Sequence, residues 1–393
     1  NQAISSSTIT LASSDALNVS AGITSAFFEP FDAEKYSIQF SDGTTEPLTS
    51  DQVVITNGGN NIAFNGLSKS SGNATVNVTL KKVGVTSKAK DYIRSEQVEI
   101  TRTSKFNTLS GLTTSINYGL RVEDEEISLN VPDVNKVIAI YESKTNSIPT
   151  LDKLKFVSGL NLNTNAIKGE KVIGKESRAI GQVVNRNAND VEIVFLNGNS
   201  FTVGEEVKFE ESAIVSILQG VDTGNYINRT NNFTLNRGHN KEYCGLSRIV
   251  RKSKSAIPSR RLLVVYDQYQ VSGDVTGDLF TANSYTKERF TDDIVSVDRN
   301  RVTDILDFRP RVANFDVSTG TGSPFSLKNR TFVANNPFLI TPNESSVIGF
   351  NFYLPRIDKL VINQFEEVKL VKGESSENPA PPTEIGDAME MRR

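Results

Sequence analysis

The stretch GEKVIGKESRAIGQVVNRNANDVEIVFLNGNSFTVGEEVKFEESAI, residues 169–214, decides the reading of the fold. Gly169-Glu170-Lys171-Val172, then Ser177, then Ala179-Ile180, is echoed by Gly204-Glu205-Glu206-Val207, then Ser212, then Ala213-Ile214. This alignment loses one residue between the serine and the alanine of the second copy. Between the copies Val191, Ile193 and Phe195 alternate with other residues and run into Asn197-Gly198, which places alternate side chains on one sheet face before a turn. Two hairpin-like units at this spacing predict a small β-barrel over residues 161–220, because a lone hairpin cannot bury enough surface to be stable.

The same grammar extends to both sides. Tyr36, Ile38 and Phe40 alternate before the turn Asp42-Gly43, and Val76, Val78 and Leu80 alternate further on. Residues 26–104 hold about seven such runs, with turn signals at Asn57-Gly58-Gly59, Asn65-Gly66 and Ser71-Gly72, the rhythm of an immunoglobulin-like sandwich. Ile127, Leu129 and Val131, and the apolar run from Leu262 to Val265, are the expected central strands. Helical periodicity is scarce: only residues 303–308 and 384–391 have room for a turn or two of helix.

The expected fold class is therefore all-β, with several antiparallel β-sandwich and barrel domains in tandem and a small inserted β-barrel. Its expected divisions are an N-terminal connector at 1–25, the sandwich at 26–104, and a larger discontinuous β domain formed by 105–160 and 221–330. The barrel at 161–220 is inserted into that domain. A C-terminal β region follows at 331–372, with a strand pair between Val347 and Leu370. Residues 373–393 form a connector that is extended and Pro-rich, through Asn378-Pro379-Ala380-Pro381-Pro382.

Composition narrows the function. With 393 residues, 43 Lys and Arg against 46 Asp and Glu, and a net charge of −3, the surface is not built mainly for a polyanion, so nucleic-acid binding is not expected. No apolar run approaches the roughly 20 residues of a membrane helix, and no membrane insertion is expected. The single cysteine, Cys244, and single histidine, His239, permit neither an internal disulfide nor a multi-cysteine or multi-histidine metal site. The chain opens at Asn1 and its methionines are Met389 and Met391, which is expected of a section of a longer polypeptide, with a processed product as the alternative.

His239 and Cys244 lie close enough in sequence to suggest an activated thiol, but catalytic pairs are usually distant in sequence, and a turn histidine beside a small buried cysteine is the expected reading. Glu123-Asp124-Glu125-Glu126, Asp292-Asp293, Asp304 and Asp307 have the residue type of a glycosidase pair or a calcium site, yet none follows a calcium-loop pattern, and Arg309 and Arg311 beside Asp307 point to ion pairing. Gly320-Thr321-Gly322-Ser323 lacks the lysine and the strand-to-helix setting of a phosphate cradle. Arg248, Arg251, Lys252, Lys254, Arg260 and Arg261 precede a sticky strand and read as solvated gatekeepers, with a phosphate backbone, an acidic partner or a protein partner as the other options. Asn-X-Ser/Thr sequons at Asn18, Asn73, Asn77, Asn228, Asn232, Asn329 and Asn343 are ascribed to chance in an Asn- and Ser-rich chain. No catalytic, cofactor-binding or metal residue is assigned, and no cofactor is expected.

Several blocks resemble one family, the large virion structural proteins of T4-like contractile-tailed phages, especially those of marine cyanobacteria. They are FFEPFDAEKYSIQFSDG at 27–43, NYGLRVEDEEISLNVPDVNKVIAIYES at 117–143, IKGEKVIGKESRAIGQVV at 167–184, FTLNRGHNKEYCGLSRIVRK at 233–252, RRLLVVYDQY at 260–269, DILDFRPRV at 304–312 and FNFYLPRIDKLVINQFEEVKLVKG at 350–373. DFRPRV and FYLPRIDKL are the most specific. The resemblance implies a non-enzymatic tail subunit, in the baseplate or its attached fibre network, located in the virion and assembled in the host cytoplasm. Its implied partners are other tail and baseplate proteins and copies of itself, with contact to the host surface left open. The alternative is a receptor- or glycan-binding module of a tail fibre, using the turns at 57–60 and 197–200. A tail-borne hydrolase built on Asp292 or Asp304 is the third reading.

Overall fold

The structure is a computed structural model that describes residues 2–13, 26–82, 86–272, 278–285, 296–297, 300–302, 304–318, 322–326, 347–350, 352, 354–383, 386 and 388–392. It is nearly all β, in several antiparallel sheets, as the alternation predicts. Among the described residues no helix is long and apolar enough to cross a membrane.

The first unit is a sandwich. One sheet runs in the order Gln2–Ser5, Ser71–Asn77, Ser37–Phe40, Thr45–Glu46, and the facing sheet in the order Ile9–Ala12, Asn61–Phe64, Val53–Thr56. A further pair joins Ala26–Phe28 to Leu80–Lys82. Ile38 and Phe40 point inward while Ser37 and Gln39 face solvent, and Ile4, Ile9, Leu11, Ile62, Phe64 and Ala74 complete the core. Asp42 makes the expected turn: its Oδ1 accepts from Thr44 N at 3.1 Å, and Gly43 takes φ 87°, which a side chain would oppose.

The expected connector at 1–25 needs correction. Gln2–Ser5 and Ile9–Ala12 are strands of this sandwich, one in each sheet, because Ile4, Ile9 and Leu11 supply core side chains and Ser6 and Ser7, both at positive φ, reverse the chain between them. The far boundary also moves. Asp91–Ile100 pairs along its length with Leu262–Gln270, and Ile100 lies in the second core, so this strand belongs to the next unit rather than to a sandwich ending at 104.

The second unit is another sandwich. Its larger sheet has the order Asp91–Ile100, Leu262–Gln270, Val134–Ser143, Tyr226–Asn228, and the smaller has Glu126–Pro132, Leu246–Arg251, Phe233–Asn236. Ile127, Leu129, Ile249, Leu262, Val264 and Tyr266 pack between them. The opposite face of the larger sheet is also covered: Ala139, Tyr141, Leu263 and Val265 pack against Val184 and Val194 of the inserted barrel. Burial on both faces explains why residues 262–266 are continuously apolar instead of alternating.

The barrel runs from Asp152 to Asp222, beyond both expected limits. Strands follow in the order Val215–Ile217, Glu206–Phe209, Lys171–Gly174, Ile180–Arg186, Asp190–Phe195, Asp152–Lys155, Gly220–Asp222. Residues 215–222 form one continuous segment whose start pairs with Glu206–Phe209 and whose end pairs with Asp152–Lys155, so the sheet curls back on itself around Leu154, Val172, Val183, Val191, Ile193, Val207, Phe209 and Leu218. The two repeats form an internal two-fold. Val172 pairs with Phe209 and Gly174 with Val207, which are interchanged by an offset of 35 residues. Lys175 N donates to Glu206 O and Glu210 N to Lys171 O, each at 2.9 Å.

The offset holds without a gap, which corrects the sequence alignment. Gly174 N donates to Ala179 O at 2.9 Å and Phe209 N to Ile214 O at 2.8 Å, so Ala179 corresponds to Ile214. Arg178 then corresponds to Ala213, and both sit in the left-handed region, at φ 55° and 58°. Turn handedness, not side-chain identity, fixes the equivalence.

The repeated glutamates hold the barrel together reciprocally. Glu170 accepts from Glu211 N at 3.1 Å, Ser212 N at 2.9 Å and Ser212 Oγ, while Glu205 accepts from Glu176 N at 3.1 Å, Ser177 N at 2.9 Å and Ser177 Oγ at 2.8 Å. Each also caps its own turn, through Ile167 N and Thr202 N respectively. Every carboxylate thus locks the other repeat's loop. Burial opposes the charge on Glu205, but the amides and hydroxyl of Ser177, Thr202 and Glu176 outweigh it and hold the carboxyl below its ordinary range.

A bulge in Asp91–Ile100 joins barrel and sandwich. The register shifts between Ile93 and Glu96, Ser95 takes φ 56°, and Arg94 is thrown out towards the barrel. Its Nη1 donates to Gly169 O at 3.1 Å and its guanidinium grips the Glu211 carboxylate, with Nη2 to Oε2 at 2.8 Å. Lys168 pairs with Glu96 at 2.7 Å, Gln97 with Asn185 at 3.0 Å, and Gln182 Nε2 donates to Ser95 Oγ at 3.0 Å.

At the C-terminal end Lys359–Asn363 lies between Val368–Val371 and Ala388–Arg392. The last strand replaces both the helix considered at 384–391 and part of the extended connector at 373–393, because Met389 and Glu390 pair with Ile362 and Val361. Residues 347–350, expected to open a strand pair, carry none. The described part of 303–308 is not helical either: Asp307 bridges Phe280. Among the described residues Leu162–Asn165 forms an α-helical turn, and Leu162 is buried in the barrel core.

Candidate functional site

The most chemically suggestive cluster gathers residues from four separate parts of the second sandwich. Asp133, at φ 61°, is the single residue at which the chain passes from Glu126–Pro132 in one sheet to Val134–Ser143 in the other. His239 and Cys244 face each other across a short loop closed by a bridge between them, and Cys244 is tied to the DFRPRV block through Cys244 N to Pro310 O at 3.0 Å and Val312 N to Cys244 O at 2.9 Å. Lys90 enters from the linker before Asp91–Ile100. The sequence pairs His239 with Cys244 and Asp307 with Arg309, and both proximities hold; Lys90 and Asp133, 43 residues apart, carry no local signal that would join them.

Asp133 is the hub. Its Oδ2 receives the Lys90 ammonium at 2.6 Å, and its Oδ1 meets His239 Nε2 at 3.0 Å. Lys90 and Asp133 side chains are 3% and 1% exposed, so neither charge can turn to water. Burial alone would strip both charges, yet each partner stabilises the other's ionised form: Asp133 is held well below the usual carboxylate range and Lys90 above the usual amine range. Phe280 and Tyr285 cover the ammonium, with ring centroids 4.4 Å and 5.2 Å from Nζ. On the far side of the imidazole, Arg309 Nη2 lies 3.2 Å from His239 Nδ1, while the same guanidinium pairs with Asp307 at 2.8 Å and 2.9 Å and donates to Asn240 O at 2.6 Å.

These contacts assign the histidine tautomer. A guanidinium only donates, so Nδ1 must accept, and the proton then sits on Nε2, where it is donated to Asp133. Cys244 Sγ lies 3.7 Å from that same Nε2. A nitrogen already carrying a proton and directing it to a carboxylate cannot take another from the thiol. In a working thiol–imidazole–carboxylate relay the thiol and carboxylate face opposite ring nitrogens; here they share one. Burial, reinforced by the nearby Asp133 charge, pushes the thiol up to about 12. The cluster therefore has the residues of a nucleophilic site without its wiring.

The same wiring bears on metal binding. One ligand atom from each of Asp133, His239 and Cys244 lies within 4.8 Å of the others. A metal would need a free lone pair on Nε2 and a thiolate, and would have to displace the Lys90 ammonium from Asp133. The donor set does not fit an ion. What the arrangement does is fasten the Lys90 linker, the Asp133 turn, the 239–244 loop and the DFRPRV block into one buried knot.

Among the described residues the remaining sequence candidates are dispersed and structural. Asp124 accepts from Gly119 N at 2.7 Å and Arg121 Nε at 2.8 Å, Glu123 from Thr103 Oγ1 at 3.2 Å, and Glu126 pairs with Arg248 at 2.9 Å. Asp292 and Asp293 lie outside the described residues, as do Gly320 and Thr321; Ser323 Oγ donates to Tyr118 O at 3.0 Å in a loop. Arg260 and Arg261 staple the 109–111 loop by donating to Leu109 O and Gly111 O, each at 2.8 Å, whereas Lys252 and Lys254 are exposed. Shallow grooves of about 380 and 260 Å³ flank the edge strand Phe233–Asn236, lined mainly by Thr234, Leu235, Arg237 and Val137. They bring no pair of carboxylates together.

Comparison with known proteins finds no matching family model, no matching curated protein and no matching solved structure.

Proposed function

We propose that this chain is a non-enzymatic structural subunit of a bacteriophage tail, in the baseplate or its attached fibre network, that works through protein–protein contacts. The observation that carries the reading is the wiring of the Lys90–Asp133–His239–Arg309 knot. The residues best suited to chemistry are committed to fastening β units, and the DFRPRV block, one of the two that most resemble virion structural proteins, supplies Arg309 to that fastening. A chain of sandwiches with a barrel bolted to one sheet transmits load through many hydrogen bonds and buried faces. Such a body contacts neighbours over broad areas, where modest contacts add by multivalency.

The test is placement in the particle. Gold-labelled antibodies against the chain, followed by cryo-EM of the phage that encodes it, should put label and density at the tail end. Density in the capsid, or label absent from particles, overturns the reading.

A further inference from the structure

The internal two-fold of the barrel creates the Arg94 docking site twice, and the chain fills it once. In the filled copy, Arg94 packs on Gly169 so closely that a Cβ there would lie 2.3 Å from the Arg94 Cβ, and its guanidinium bridges Gly169 O and Glu211. Displaced by 35 residues, the second copy consists of Gly204 and Glu176. Its backbone is held by the same bonds: Glu205 accepts from Glu176 N at 3.1 Å as Glu170 accepts from Glu211 N at 3.1 Å, and Gly204 N donates to Leu218 O at 2.8 Å as Gly169 N donates to Val183 O at 2.8 Å. Yet a Cβ on Gly204 would meet nothing within 4 Å, and Glu176 is exposed.

The surrounding face follows the same logic. In the first copy Gln182 and Val184 turn towards the large sheet, with Gln182 on Ser95 and Val184 in the shared apolar layer, and Ile180 shares their strand face by alternation. Their equivalents are Val215, Ile217 and Gln219. Val215 and Ile217 are 51% and 44% exposed, and Val203, the counterpart of Lys168, is 58% exposed. A strip more apolar than its buried twin is left in water, next to a preformed arginine seat.

We infer that the Gly204–Glu176 face is a docking site for a β-strand of another polypeptide that presents an arginine to Glu176 and Gly204 O and apolar side chains to Val203, Val215 and Ile217. The partner's arginine takes the part that Arg94 plays at the Gly169 seat, while its apolar side chains stand where Ser95 and Glu96 meet Gln182 and Lys168. Charge complementarity selects the arginine, since a planar guanidinium can bridge a carbonyl and a carboxylate as Arg94 does, which a lysine cannot reproduce. The inference supplies one contact of the assembly role proposed above but does not depend on the assembly being a phage tail.

The test uses the full chain and, as probe, a fluorescein-labelled peptide of residues 90–98 carrying Ser95→Val and Glu96→Val, which presents the arginine together with apolar side chains, followed by anisotropy. Saturable binding is expected, weakened about tenfold or more by Glu176→Arg in the chain or by Arg94→Ala in the peptide, the loss of one charge-assisted bidentate contact. A peptide carrying Arg94→Glu should regain binding to the Glu176→Arg chain. Glu176 is exposed, so its substitution leaves the fold intact, checked by an unchanged circular dichroism spectrum. Absence of saturable binding, or equal binding by the Glu176→Arg chain, overturns the inference, the latter because the peptide would then be using the Gly169 seat. These failures leave the tail reading standing, whereas a capsid location would sink that reading and leave the docking site.

Discussion

Replacing Glu205 with alanine should unlock the barrel without touching its apolar core. The substitution removes the shared acceptor of Thr202 N, Glu176 N and Ser177 N, at 2.7, 3.1 and 2.9 Å, and of the Ser177 hydroxyl at 2.8 Å. Glu205 is 1% exposed, so the amides lose their partner in a place water reaches poorly. At the low end of about 1 kcal/mol for each stranded donor, three amides cost about 3 kcal/mol. Because several linked domains need not unfold together, the measure is the opening free energy of barrel amides from hydrogen exchange, with Phe209 and Leu218 as reporters. Glu170→Ala, its two-fold mate, should cost the same within about 1 kcal/mol, since it strands the corresponding amides of Ile167, Glu211 and Ser212. The pH dependence has a definite sign. The folded-state pKa of Glu205 lies below the ordinary 4.5, so its contribution is fully present above 4.5 and is lost as pH falls through the lower, folded value. A Glu205→Ala cost under about 1 kcal/mol, or wild-type and variant barrels losing stability in parallel below pH 4.5, refutes the reciprocal-lock argument.

Other outcomes follow from the two cores and the knot. Val264→Asp places a carboxylate at a 0% exposed position between the sheets of the second sandwich, and should give insoluble protein on expression; soluble, cooperatively folded protein would refute its central placement. Asp133→Asn strands the buried Lys90 ammonium and should lower the opening free energy of second-sandwich amides by about 3–5 kcal/mol, read by hydrogen exchange at Val264 and Ile249; an unchanged protection would refute the hub role. Cys244, its thiol pushed up to about 12, should resist iodoacetamide in the native chain at pH 8 and react only on unfolding; fast native alkylation would mean the thiol is activated after all.

Much of the fold is written locally. Alternation at Tyr36, Ile38 and Phe40 with Asp42-Gly43 marks a hairpin because both its signals sit within eight residues, and the apolar run at 262–265 marks a strand covered on both faces. Readings failed where the deciding contact is distant. Gln2–Ser5 is polar enough to pass for a connector and is a strand only because Ser71–Asn77 lies beside it. Met389 and Met391 fit either a helix or a strand pattern, and pairing with Lys359–Asn363 decides. The repeat is visible, but its matching Ala-Ile dipeptides suggest a gap that the left-handed residues Arg178 and Ala213 remove, a turn conformation that sequence does not display. At the candidate site, the closeness of His239 and Cys244 could be seen, whereas the tautomer depends on Arg309, 70 residues onward.

The barrel enters and leaves its host at one point: Lys153, near its first residue, is paired with Asp222, its last. A cassette with adjoining ends can be excised, transplanted or gained by recombination while the two halves of the surrounding sandwich stay in register. Besides the polar contacts of Arg94, Glu96 and Gln97, what binds it to this particular host is the greasy underside shared with Tyr141, Leu263 and Val265. A surgical deletion would therefore need three or four polar replacements on that exposed sheet, and a homologous scaffold lacking the cassette should already carry hydrophilic residues there.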